Sequence, residues 1–330
     1  MSSIKATWMV DSNERTIHHS ERRVMEMLAV QVEAPGGITS LVVRSVEDLT
    51  PRPDEVKIEL IASSINPADV KIRTGAVVPL RGAYPFTLGY DLAGTVVETG
   101  AEVTDLAPGT QVLAMSAVAL TGVGTWSERV CLPRTSVARL PANVDPLPLA
   151  RLPLAGLTAY QAVQRAKPGP GTAVLVCGAA GSVGRLAVEL LLDRGARVHG
   201  LVRRPEQVDQ LPTHELFTPH VGQPPTRSVD VVIDAAGADF SPALVDGGLY
   251  ICLVPDRAPA RDVLARRSQR RTVLVTEESG ADLEELVELL GAAVLTLETT
   301  SIFPMKNIHA AHREFEQDGQ RNVVLIREDW

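Results

Sequence analysis

The sequence predicts an α/β protein in which an all-β unit is followed by a doubly wound parallel sheet with helices on both faces. Two observations carry that prediction. From Met27 to about Asp145 the chain runs in short apolar stretches rich in Val, Ile and Thr and broken by Pro and Gly, as in EVKIELIASSINPADV and PGTQVLAM. Such runs bounded by turn residues read as strands. From about Pro146 to Gly280, apolar runs (AVLVCGA, RVHGLV, DVVIDAAG, LYICLVP, TVLVTEE) alternate with helix-length segments such as RLAVELLLDRG. Strands without polar alternation, separated by helices, belong to a parallel sheet covered on both sides. At 330 residues the chain is long enough for two such units, because domains average about 150 residues. The tail, ADLEELVELLGAA then PMKNIHAAHREFEQDG then NVVLI, reads as helix, helix, strand.

Composition narrows the partners. A net charge of -8 argues against nucleic acid and anionic membrane, whose phosphates need a basic face. Residues 2 to 24 are polar and charged, without the apolar core of a signal peptide. The run 112 to 126 is too short and too rich in Gly, Ser and Thr to span a bilayer. A cytoplasmic protein is expected. Cys131, Cys177 and Cys252 are odd in number and show no CxxC spacing, so they read as buried or semi-buried thiols rather than a disulfide framework or zinc knuckle.

The stretch VLVCGAAGSVGRLAVELLLDRGARVHGLVRRPE, residues 174 to 206, joins a strand, a small-residue turn, a helix and a second strand. A turn of Gly178, Ala179, Ala180, Gly181, Ser182, Val183 and Gly184 at the start of a helix exposes backbone amides to an anion and lets a pyrophosphate approach the main chain. The spacing is GxxGxxG and not GxGxxG, so a structural turn also accommodates it. In dinucleotide folds the second strand ends in an acid that holds the ribose 2′-hydroxyl of NAD. Here Val202 stands in that position and Arg203 and Arg204 follow. Paired guanidiniums would bind a 2′-phosphate, which points to NADPH; a solvated loop is the alternative.

These residues carry a family resemblance. SINPADVKIRTG, YPFTLGYDLAGTVVETG, LAGLTAYQAV and GAAGSVG, in that order, resemble four motifs of the medium-chain dehydrogenase/reductase superfamily, in its zinc-free quinone oxidoreductase branch. The likeness covers about 300 residues, from Met27 to the C-terminus. It implies a GroES-like catalytic domain over 27–146, a Rossmann domain over 147–280, and a segment over 281–330 that completes the catalytic domain. Residues 1–26 would be an N-terminal extension. The active site would lie in the cleft between the domains. The resemblance also implies a cofactor site of Thr158, Gly178, Ala180, Gly181, Ser182, Val183, Gly184, Arg203, Arg204, Ala236, Gly237 and Val254.

Where zinc-dependent relatives carry Cys, His and Cys ligands, this chain has Asn66, Tyr90 and Leu154, and the four-cysteine lobe is missing. Amide, phenol and leucine make no tetrahedral zinc site, so no metal is expected. His309 and His312 share a helix face and read as surface residues; His18 and His19 lie in the extension. Without a Lewis acid the chemistry favours reduction of an electrophilic acceptor, a quinone or an α,β-unsaturated carbonyl, with a hydrogen-bond donor at the developing oxyanion. Asn66, Lys71, Tyr84 and Tyr90 are the candidate donors. Each has a structural alternative: Asn66 as a cap, Lys71 as a solvated cation, the tyrosines as packing. Asp69 reads as a structural hydrogen-bonding group.

Two other functions stay open: an enoyl-thioester reductase of a biosynthetic pathway, and a non-catalytic NADPH-binding protein. The cluster Arg261, Arg266, Arg267, Arg270 and Arg271 reads as a solvated connector or as a dock for the phosphates of a CoA- or carrier-protein-bound acyl group. DGQRNVVLI lacks the Gly-Lys pair usual in the family, and LPTHELFTPHVGQPPT, residues 211 to 226, reads as an irregular loop. The apolar strand in RRTVLVTEE ends the parallel series and invites pairing with a second copy; the resemblance likewise implies a homodimer.

Overall fold

The computed structural model describes residues 25–81, 84–299, 301–317 and 322–328. Nearly all of the proposed 1–26 extension, with His18 and His19, and residues 318–321 of DGQRNVVLI lie outside them.

The β unit begins with β1 (Glu26–Val32), β2 (Leu41–Glu47) and β3 (Glu55–Ser64), followed by α1 (Pro67–Arg73). β4 (Phe86–Thr87), β5 (Asp91–Thr99), β6 (Gln111–Met115), a single turn α2 (Val118–Thr121), β7 (Arg129–Pro133) and β8 (Val137–Arg139) complete it. β2, β1 and β4 make a small antiparallel sheet. The larger sheet runs through β3, β5, β6 and β8, with β7 also on β3.

α3 (Leu152–Ala166) leads into the second unit. It contains β9 (Ala173–Cys177), α4 (Ser182–Asp193), β10 (Arg197–Val202), β11 (Phe217–Val221), β12 (Val229–Asp234), β13 (Leu244–Cys252), α5 (Arg261–Ala265) and β14 (Arg270–Val273). The sheet is parallel throughout, in the order β11-β10-β9-β12-β13-β14. The chain starts in the middle, winds to one edge, returns and winds to the other, so the crevice for a ligand opens at the carboxyl ends of β9 and β12. All five residues of β9 are buried, as a strand covered on both faces requires.

α6 (Gly280–Gly291), β15 (Ser301–Pro304), α7 (Ile308–Glu316) and β16 (Val323–Ile326) follow. β16 pairs antiparallel with β3 and parallel with β15, so the tail returns to the β unit. The two units share a core: Ala62, Ala93, Leu113 and Met115 of the β sheet pack in one cluster with α3, α4 and α6. Glu278 crosses the seam, accepting from the Ala117 amide at 2.7 Å and from Ser136 Oγ at 2.6 Å.

Three expectations change. The stretch 211 to 226 is not wholly irregular, because β11 extends the sheet beside β10; Pro219 is tolerated there since an edge strand pairs on one side only. β15 appears ahead of α7. His312 is fully buried rather than on the surface, because its face of α7 packs on the β unit, with the ring edge-on to Trp126 at 5.6 Å.

Candidate active site

The cleft between the units encloses a cavity of about 490 Å³. On the β side its wall is built where β3 ends and α1 begins. Pro67 suits the first turn, and the Asp69 carboxylate accepts the Asn66 amide at 2.8 Å, which caps the helix. That places the Asn66 side chain over Asp91, whose Oδ2 accepts from Asn66 Nδ2 at 2.7 Å and from Ser64 Oγ. Asp91 Oδ1 accepts the Leu154 amide at 2.7 Å. Asn66 and Leu154 therefore meet around one buried carboxylate, which follows Tyr90 directly in the chain. Burial raises the Asp91 pKa, and the bonds from Ser64, Asn66 and Leu154 hold it down. Among the described residues no group of three or more His, Cys, Asp or Glu side chains could hold a metal ion.

The donors sort by position. Asn66 is in the wall, but its amide nitrogen is committed to Asp91 and, at 3.3 Å, to Ser64 Oγ. Tyr90 is in the wall and nearly buried; burial and then the Asp69 charge push its phenol upward, and the Ala119 backbone opposes them. Lys71 stands at the rim, where its Nζ meets Asp256 of the opposite unit at 3.1 Å. Tyr84 is not part of the cavity wall. Its ring packs on Phe86 at 5.0 Å, and its buried hydroxyl has no partner among the described residues.

The opposite wall is the glycine turn. Gly178 has φ +78°, and a Cβ on Gly184 would lie 2.1 Å from the Gly178 carbonyl oxygen; a side chain at 184 would therefore force the helix away from the strand. α4 starts on Gly181 with no side-chain cap, leaving its first amides for a ligand. Gly178, Gly181, Ser182, Val183 and Gly184 line the cavity, as do Thr158 and Val254. Thr158 Oγ1 donates to the Leu154 carbonyl at 2.6 Å and meets Thr276 Oγ1 at 2.7 Å. Ala180, Ala236 and Gly237 are not part of the cavity lining; the amides of the last two bind Asp234 Oδ1 at 2.9 Å. Arg203 and Arg204 lie outside the cavity at the end of β10, with Arg204 Nε 3.1 Å from Glu206. This cradle, with backbone approach at Gly184 and an uncapped helix, fits a dinucleotide.

Asp91, Arg151, Asn322 and Asp256 are part of the site without having stood out in the sequence. Arg151, almost fully buried, donates to Ser182 Oγ at 2.9 Å and Asn322 Oδ1 at 2.7 Å.

A β domain seated on a doubly wound sheet, with a glycine turn facing the cleft, defines a two-domain dinucleotide-binding fold. Residues 52–142 match the alcohol dehydrogenase GroES-like domain and residues 208–321 the zinc-binding dehydrogenase family. The chain is 31% identical over 310 residues to a chloroplastic quinone-oxidoreductase of Triphysaria versicolor, a match covering 86% of this chain and 93% of that one. It belongs to the medium-chain dehydrogenase/reductase superfamily, in the quinone oxidoreductase branch. It is also 37% identical over 141 residues to the chloroplastic NADPH-dependent alkenal/one oxidoreductase of Arabidopsis thaliana, covering 42% of this chain and 36% of that protein's length. The fold matches that of the quinone oxidoreductase from Coxiella burnetii with a TM-score of 0.79 at 24% identity, over 92% of this chain and 100% of that one.

Proposed function

We propose that this chain is an NADPH-dependent, zinc-free reductase of quinones or α,β-unsaturated carbonyls. One observation carries the reading: a single cavity has the glycine turn and the start of α4 on one side and the buried Tyr90, Asn66 and Asp91 group on the other. Gly178, Gly181, Ser182, Val183 and Gly184 would hold the diphosphate of the cofactor, Thr158 and Val254 its nicotinamide end, and Arg203 and Arg204 its 2′-phosphate. The bound cofactor supplies the hydride for an electrophilic carbon. Ile65, Ala68, Val77, Leu120 and Leu154 give the rest of the cavity an apolar lining, which suits an uncharged acceptor and excludes bulk water from it. Tyr90 holds its proton, because burial disfavours the phenolate, and so presents a hydrogen-bond donor to an acceptor oxygen as charge develops there. Asn66 and Ser64 keep Asp91 in place rather than meeting the substrate themselves.

The arginine cluster does not favour the acyl-carrier alternative. Arg267 is paired with Asp246 at 2.8 Å and Arg271 donates to the Pro259 carbonyl at 2.5 Å, so two of its members serve the local fold. A homodimer in the cytoplasm completes the proposal.

The test follows oxidation of NADPH and NADH against a panel of quinones, enones and enoyl thioesters, with wild type and the Arg203→Ser, Arg204→Ser double variant. Wild type should consume NADPH with a quinone or an enone and bind it roughly ten- to a hundredfold more tightly than NADH, since a charge-assisted hydrogen bond contributes about 1.5 to 3 kcal/mol. The double variant should lose most of that preference. Equal affinity for the two cofactors would sink the 2′-phosphate assignment. Turnover of none of the acceptors would favour a non-catalytic protein.

A further inference from the structure

We infer that Arg151 is a cofactor-binding residue, a buried guanidinium that grips the diphosphate of the dinucleotide at the start of α4. The inference rests on the reading of the cleft as a dinucleotide site. Arg151 immediately precedes α3, the helix that carries Thr158. It is 8% exposed and lines the cavity. Its Nη2 donates to Ser182 Oγ and Asn322 Oδ1, and its Nη1 to the Glu298 carbonyl. The guanidinium thus ties the first residue of α4 to the residue before β16 and to the connection ahead of β15. These bonds use both Nη2 protons and one Nη1 proton of the five N–H donors, and Nε–H and the second Nη1–H remain to meet an anion one at a time.

The balance of charge points to an anion. The end of the 12-residue α4 that Arg151 faces carries about half a positive charge, and cations are destabilising there. Arg185, in the first turn of the same helix, adds a second guanidinium, and its charge opposes that of Arg151. The acids nearby answer only part of this. The Glu298 carboxylate is 60% exposed and bound by Arg185 at 2.7 Å, and Asp91 is taken up by Ser64, Asn66 and the Leu154 amide. Burial lowers the Arg151 pKa to about 10 while Asp91 and Glu298 raise it, so the group stays charged at neutral pH. A diphosphate set among Arg151, the Gly181 turn and the open amides of α4 supplies the counter-charge that the protein leaves short.

The experiment measures NADPH affinity by fluorescence titration for wild type, Arg151→Met and Arg151→Lys, alongside the thermal midpoint of each protein without ligand and with inorganic pyrophosphate. Arg151→Met should bind NADPH ten- to a hundredfold more weakly, Arg151→Lys should fall between, and pyrophosphate should raise the midpoint of wild type but not of Arg151→Met. Unchanged affinity in Arg151→Met overturns the inference, and a lowered ligand-free midpoint with unchanged affinity shows a structural tie only. If Arg151→Met does not fold, Arg151→Lys decides, because it keeps the charge and loses the guanidinium's N–H donors; affinity equal to wild type overturns the inference. Wild type that binds no NADPH ends the dinucleotide reading itself, and this inference with it.

Discussion

Asn66 commits its amide nitrogen to the protein wall, donating to Asp91 and Ser64, which leaves it no free proton for a substrate oxygen. Tyr90, in the same wall, keeps a phenolic proton because burial opposes its loss. The two residues therefore separate by experiment. Tyr90→Phe should lower kcat on an α,β-unsaturated ketone roughly ten- to a thousandfold, as loss of one oxyanion donor does, while reduction of a simple quinone falls less. Asn66→Ala should instead destabilise the fold by about 1 to 3 kcal/mol, because it strips a hydrogen bond from a buried carboxylate. Stopped-flow oxidation of NADPH and chemical denaturation, run on both variants, read the two effects. A kcat loss confined to Asn66→Ala would return the donor role to that residue.

At the scale of elements, the strand series of the parallel sheet and the glycine turn were legible because each is local: apolar runs of strand length, and small residues where a strand meets a helix. β11 was hidden by Pro219, which breaks a strand pattern but is harmless in a strand with one neighbour. The polar floor of the cleft could not be read, since its bonds join residues 63 positions apart, Asp91 to Leu154, and 171 apart, Arg151 to Asn322. Asp91 sits in the motif YPFTLGYDLAG, yet nothing in that motif says which groups it binds. His312 was missed for a related reason. Its helix periodicity is visible, but what its face packs on is not. The ring is buried against Trp126, neither nitrogen has a hydrogen-bond partner among the described residues, and burial, then Arg73, then His309 push its pKa down to about 3. Glu316 lies 3.5 Å from Nδ1 but is held by Arg73 at 2.8 Å, so its attraction does not prevail. Between about pH 6.5 and pH 3 the unfolded chain binds a proton here that the folded chain refuses. The His312 contribution is therefore present above pH 6.5 and lost as pH falls, at up to about 1.4 kcal/mol per pH unit. Asp69 and Asp91, whose pKa values are raised, act in the opposite sense, so the comparison with His312→Gln isolates the histidine. Denaturation from pH 7.5 to 4.5 should show a shallower loss of stability in the variant; parallel curves would refute this.

For the whole molecule, the parallel sheet leaves two edges, and they are not equivalent. β11 carries Pro219, which removes a backbone donor and blunts that edge. Among the described residues β14 pairs with β13 alone, and it contains no proline; Val273 in it and Val275 just past its end are 37% and 54% exposed. The Leu274 amide binds the Cys252 carbonyl at 2.9 Å, so the alternation of the strand turns the Val273 amide outward. A second copy related by a two-fold axis would satisfy these outward groups and join two six-stranded sheets into one continuous sheet. Wild type is expected to be a dimer by light scattering at micromolar concentration. Val273→Pro removes the outward donor while leaving the inward bonds of β14 in place, and should give a monomer with an unchanged far-ultraviolet circular dichroism spectrum. A wild-type monomer would refute pairing altogether, and a Val273→Pro dimer would move the interface to another face of the molecule.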